Sequence, residues 1–116
     1  MVHKNVEEIS FEKNDMYSIH IIEGKKMGTR EEFFSEIALK LNFPDYFGKN
    51  FDALDECLCD LEWINFEIIK IIIKDFSLIL NQENSKQKDI FISCLEDADE
   101  FWRINQSKTV DFYLQE

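Results

Sequence analysis

Phe66-Glu67-Ile68-Ile69-Lys70-Ile71-Ile72-Ile73 is the stretch whose reading decides the fold. A half-solvated strand alternates apolar and polar side chains. This one is almost continuous isoleucine, the pattern of a fully buried strand in a parallel sheet. Parallel neighbours need long, usually helical, crossovers, so strands and helices are expected to alternate on either side of it. Upstream, Met16-Tyr17-Ser18-Ile19-His20-Ile21-Ile22 is rich in β-branched and aromatic residues and ends at Gly24, which reads as a strand. His20 sits there among apolar neighbours with no acid or thiol close in sequence, so an ordinary hydrogen bond is its expected role. Downstream, Thr109 to Leu114 reads as a short terminal strand.

Helical patterns fill the gaps. Thr29-Arg30-Glu31-Glu32 matches a capping box, and Phe33, Phe34, Ile37, Ala38 and Leu41 follow at helical spacing. Pro44 disfavours helix at the residue before it, so this helix ends near Asn42. Phe43 to Lys49 is irregular. Asn50 is an N-cap for a second helix, with Asp52 in the first turn where the helix dipole favours a carboxylate. Phe51, Leu54, Leu58 and Leu61 share one face of that helix, and Asp52, Asp55, Glu56 and Asp60 lie largely off it. Phe76 to Leu80 reads as one or two helical turns, Asn81 to Lys88 as a polar stretch, and Ile90 to Trp102 as a long amphipathic helix. The expected fold is a single α/β domain over residues 1–116. It is a small two-layer or three-layer-like sandwich in which about four helices pack a three-stranded parallel sheet. Residues 1–14 are either a loosely attached arm or an extra edge strand.

Composition narrows the function. The chain has 116 residues, 45% of them hydrophobic, with 11 Phe but only 3 Gly and 1 Pro. Such a length buries roughly 65% of its unfolded surface, so disorder and low-complexity readings are excluded. The net charge of −11 repels phosphate backbones and makes direct nucleic-acid binding unfavourable; a basic partner is the natural complement. The N-terminus lacks the apolar core of a signal peptide, and no apolar run is long enough to span a bilayer, so a cytoplasmic protein is expected. Cys57, Cys59 and Cys94 are odd in number, and the first two stand about 200° apart around a helix, so no disulfide framework is expected. His3 and His20 are too distant in sequence to complete a zinc site, and no cofactor or metal is expected. Small buried thiols are the simplest reading of the cysteines.

Charge is concentrated in one place. Asp45, Asp52, Asp55, Glu56, Asp60 and Glu62 face a single base, Lys49, so nearly half of the net charge falls within 18 residues. Just before them stand Tyr46 and Phe47 beside Gly48. Exposed rings next to a carboxylate-bearing helix are ingredients of a protein-binding hot spot. The plainer alternative folds both rings onto the core and leaves the acids as a solvated face.

Phe43-Pro44-Asp45-Tyr46-Phe47-Gly48-Lys49-Asn50-Phe51-Asp52-Ala53-Leu54 resembles the signature loop and second helix of the barstar family, intracellular inhibitors of a secreted microbial ribonuclease. The order of elements extends the resemblance from about Met16 to Leu114. It implies an inhibitor that plugs the ribonuclease active site, with Tyr46, Phe47, Gly48, Asn50 and Asp52 at or near the inhibitory surface. Glu56 falls where the family's founding inhibitor has its central aspartate. Asp55 replaces a Trp, and Asp60 and Leu61 replace a Gly and another Trp. The family also uses an acid on its later helix, for which Asp97, Asp99 and Glu100 are candidates.

The leading reading is therefore a monomeric, non-enzymatic inhibitor of a basic ribonuclease. Its binding surface comprises Tyr46, Phe47, Gly48, Asn50, Asp52, Asp55, Glu56 and Asp60. The alternative is an immunity or regulatory protein for a different basic partner, such as a non-ribonuclease toxin. A paired-carboxylate enzyme built on Asp52 and Glu56 lacks any accompanying nucleophile, phosphate loop or histidine cluster.

Overall fold

The computed structural model describes residues 2–6, 11–12 and 15–116, with residues 5 and 6 as backbone. Four strands form one all-parallel sheet: β1 (Val2–Val6), β2 (Tyr17–Glu23), β3 (Ile68–Lys74) and β4 (Thr109–Gln115), in the order β1-β4-β3-β2. Three helices connect them: α1 (Arg30–Lys40), α2 (Phe51–Leu58) and α3 (Ser85–Asn105). Single 3-10 turns at Gly24–Lys26 and Phe76–Leu78 complete the described elements.

The path β2→β3→β4 advances across the sheet in one direction, and right-handed crossovers then place every connecting helix on the same face. On that face Ile69 pairs with Ser18 and Val110, Ile71 with His20 and Phe112, and Ile73 with Ile22 and Leu114. These strand residues share one core with Phe33, Phe34 and Ile37 of α1, Leu54 and Leu58 of α2, and Phe91, Leu95, Ala98 and Trp102 of α3. The architecture has two layers.

The other face of the sheet carries no helix among the described residues. Lys70, the one break in the isoleucine run, lies there rather than in a doubly buried strand. Its ammonium is 3.9 Å from Asp111 and stands over the rings of Phe11 (4.6 Å) and Tyr17 (5.3 Å). That face is half-covered, and only Ile72 on it is fully buried. The expectation that β3 is buried on both faces therefore holds on the helix side alone.

The three-stranded expectation also needs correction. Val2 to Val6 adds a fourth strand, pairing in parallel with β4 through Val2 and Phe112. Of the two readings of residues 1–14, the edge strand holds for 2–6. Phe11 and Glu12 pack beside Tyr17, whose hydroxyl donates to the Glu12 carbonyl, and the remaining positions of that segment lie outside the described residues. A strand of two valines and three polar residues gives little periodic signal.

The helix starts follow the sequence. Thr29 accepts from the Glu32 amide at 3.2 Å while the Glu32 carboxylate accepts from the Thr29 amide at 3.1 Å. Helix α3 begins at Ser85, before its first apolar repeat, with Asn84 accepting from the Lys86 amide at 2.9 Å. Its first turns are mostly exposed and so carry no hydrophobic periodicity, which explains why Asn81 to Lys88 reads only as a polar stretch. His20 makes ordinary hydrogen bonds, Nδ1 with the Lys40 carbonyl at 2.8 Å and Nε2 with Ser18 Oγ at 3.1 Å.

Helix α3 is fastened to α2 by the buried Trp102, whose indole N–H donates to the Leu58 carbonyl at 2.8 Å. Replacing Trp102 by Phe leaves that carbonyl without its donor and creates a void. The expected loss is about 1–3 kcal/mol in urea denaturation; unchanged stability would show that the bond is not a fastening.

Candidate protein-binding surface

Helix α2 is short, and its position is set from both ends. Asn50 Oδ1 accepts from the Ala53 amide at 2.8 Å, and Asn50 Nδ2 donates back to the Gly48 carbonyl at 3.3 Å. A Cβ on Gly48 would stand 3.2 Å from Asn50 Nδ2, so a side chain there would press on the cap. The left-handed residue of the loop is its neighbour Lys49, at φ 51°. Inward, Leu54, Leu58 and Leu61 are fully buried, and Phe51 is packed against the same core.

The two loop rings part company. Phe47 is half-buried, 4.8 Å from Phe43 and 6.0 Å from Phe34 between ring centroids. Phe43 in turn meets Trp63 edge-on, and the Trp63 indole donates to the Leu41 carbonyl at 2.8 Å. Tyr46 instead projects outward, 75% exposed. Its phenol pKa is raised by desolvation and by the nearby carboxylates of Asp60 and Glu62, just past the end of α2. The core therefore holds Phe47 as a prop and offers Tyr46 to solvent.

The outward acids form a strip. Asp52 and Glu56 are exposed, one helical turn apart; Asp55 and Asp60 are half-buried. Asp55 faces Asp97 of α3. Burial first, then the Asp97 charge and a hydrogen bond with it, and then Asp52 and Glu56, raise the Asp55 pKa above the usual carboxylate value. Its Oδ1 is buried without a hydrogen-bond partner among the described residues. Of the three α3 acids named as candidates, Asp97 meets Asp55 of α2. Asp99 stands 3.5 Å from Arg103. Nothing in the spacing of the acids along α3 singles out Asp97; only the register of α3 against α2 does.

The cysteines are inert packing. Cys57 and Cys94 are buried, Cys59 is half-buried, and all are free. Burial and the nearby Asp55 and Asp97 push Cys59 up to about 11 and Cys94 to about 12, so their thiols stay protonated at neutral pH. Among the described residues no group of His, Cys, Asp and Glu is arranged to hold a metal ion, and no helix is long and apolar enough to cross a membrane.

The structure is thus a small parallel α/β domain with an exposed Tyr46 near Asp60 and Glu62, and with carboxylates of two helices, Asp55 and Asp97, brought together. The chain belongs to the barstar family: the family model described as Barstar (barnase inhibitor) matches residues 17–115. It is also similar to the Bacillus subtilis (strain 168) protein named "Putative ribonuclease inhibitor YrdF", at 36% identity over 56 residues. That match covers 48% of this chain and 58% of the relative.

The Asp55–Asp97 contact sets a pH signature. Between the unfolded value of 3.8 and the raised folded value, the folded state binds more protons, so this site loses stability as pH rises through that window. Replacing Asp55 by Asn is expected to raise the melting temperature near neutral pH, with the gain shrinking to nothing below pH 3.8. Glu36 has the opposite sign. Burial works against its charge, but the Glu23 amide and the Lys40 ammonium, each at 3.0 Å, prevail and lower its pKa. Its stabilisation is present above 4.5 and is lost as pH falls through the lower folded value. A thermal melt series of both variants, Asp55→Asn and Glu36→Gln, checks the two signs; a pH-independent difference at either site would contradict its assignment.

Proposed function

We propose that the chain binds and occludes the basic active site of a microbial ribonuclease, using the loop 43–49 and the acidic face of α2. The observation that carries this reading is the exposed ring of Tyr46, near Asp60 and Glu62 just past the end of α2, on a surface where Asp55 of α2 meets Asp97 of α3. A site that cleaves RNA must hold phosphates and is lined with cations. Carboxylates fixed on a rigid helix imitate those phosphates, and their long-range field raises the encounter rate. Tyr46 contributes a flat, stiff ring at low entropic cost, suited to the part of the cleft that receives a base. Phe47, Gly48 and Asn50 act chiefly by holding that ring and the helix start in place.

In this reading the protein is a stoichiometric inhibitor without an activity of its own. It acts as a monomer in the cytoplasm, where it protects against a secreted basic enzyme, and it does not bind nucleic acid. Family membership and the relative's name support the ribonuclease as target. A different basic partner is the second reading. Its support is that the resemblance expects rings at positions 55 and 61, whereas Asp55 is a carboxylate and Leu61 is fully buried.

Barnase provides the test. The wild-type chain is expected to abolish RNA cleavage at near-stoichiometric ratios, with association slowing steeply as salt rises. The double variant Asp52→Ala/Glu56→Ala is expected to bind at least about tenfold more weakly. Salt-sensitive binding that leaves RNA cleavage untouched would favour the second reading, and a double variant equal to wild type would remove α2 as the contact surface.

A further inference from the structure

Where α2 ends against α3 a cleft of about 260 Å3 opens, lined by Cys59, Asp60 and Glu62 on one side and Phe101, Trp102 and Lys108 on the other. Its volume is below the roughly 300–1,000 Å3 of small-molecule sites, and closer to what one protruding side chain needs. The apolar wall is firm. Trp102 is 5% exposed and its indole N–H is engaged by Leu58, while Phe101 stands edge-on to it with centroids 4.8 Å apart. Phe101 itself is 36% exposed, a ring left at the rim. It follows Asp97 by four residues, so the two share one face of α3 and Phe101 prolongs the strip that begins at Asp55 and Asp97.

The cleft is also acidic. Asp60 Oδ1 accepts a long bond, 3.4 Å, from the Glu62 amide, and a carboxylate accepts several bonds at once. The one lysine in the lining, Lys108, already donates to the carbonyls of Ile64 and Phe66 at 2.7 and 2.8 Å. An aromatic ring beside two carboxylates fits a long cationic side chain: aliphatic stem on the ring, charged head at the acids. Leu61, fully buried below, offers no such contact.

We propose that this cleft receives one arginine or lysine side chain of the basic protein partner, with Phe101 as the anchor and Asp60 and Glu62 as the charge receptors. The assignment rests on the reading that the partner is a basic protein, and it adds a contact that does not depend on which enzyme that protein is. Phe101 therefore sets specificity together with Tyr46, each near Asp60 and Glu62.

Two measurements separate this inference from the ribonuclease reading. In the first, a tetra-arginine peptide is titrated into isotopically labelled protein, with the Trp102 indole as reporter. Saturable shifts are expected at Trp102 and along 59–62, weakened at least about threefold by Phe101→Ala and less by Phe101→Leu, which keeps apolar bulk. Diffuse shifts over every acidic surface, unaltered by Phe101→Ala, would overturn the cleft. In the second, dissociation from barnase is expected to be about tenfold faster for Phe101→Ala at unchanged melting temperature. Tight wild-type binding that Phe101→Ala leaves alone would overturn the cleft and retain the ribonuclease reading. Failure of the wild type to bind barnase, alongside a successful peptide titration, would overturn that reading and retain the cleft.

Discussion

The handedness of the crossovers is the constraint from which the rest of the molecule follows. Three strands taken in sequence advance one way across the sheet, so α1, α2 and α3 must all pack on one face. Crowding three helices on one side of a narrow sheet brings α2 and α3 side by side, their backbones tied by Trp102 to Leu58. That contact sets Asp97 against Asp55 and Phe101 beside Cys59. The second face, which carries no helix among the described residues, is the complement of the same constraint. It is closed only in part, by Lys70 under the rings of Phe11, Tyr17 and Tyr113.

The acidic surface works against the stability of the domain that carries it. Asp55 has a buried oxygen without a hydrogen bond and a like charge opposite, an arrangement that packing alone would not favour. The core beneath compensates with large, fully buried apolar side chains, among them Phe33, Phe91 and Leu58. The buried carboxylate of α1 is better matched. Glu36, 6% exposed, has both an amide and an ammonium in reach. At Asp55 a like charge adds to the missing bond, and a cationic partner would relieve both.

Much of this was legible in the amino-acid sequence, for reasons that differ by element. The capping box at Thr29, the Asn50 cap and the apolar repeat of α3 are local signals, and the structure honours each. The isoleucine run identified the central strand but concealed which of its residues faced the open side. Only Lys70 marked that face. Strand β1 stayed one of two readings because its partner, β4, lies far along the chain, and pairing rather than pattern defines it. In the surface itself, the acids of α2 were readable from spacing. The inward turn of Phe47 was not, because it depends on Phe43 and Trp63. Asp97 and Phe101 depend on how α3 lies against α2, which no local pattern carries.

In the proposed complex the loop 43–49 and the adjoining faces of α2 and α3 form the contact surface. Hydrogen–deuterium exchange on the barnase complex tests it most directly, because it reads every amide at once. The account predicts new protection confined to the segments 45–62 and 96–103, with β2 and the open face of the sheet unchanged. Protection centred on Tyr17, Lys70 and Tyr113, with α2 exchanging as in the free protein, would contradict it.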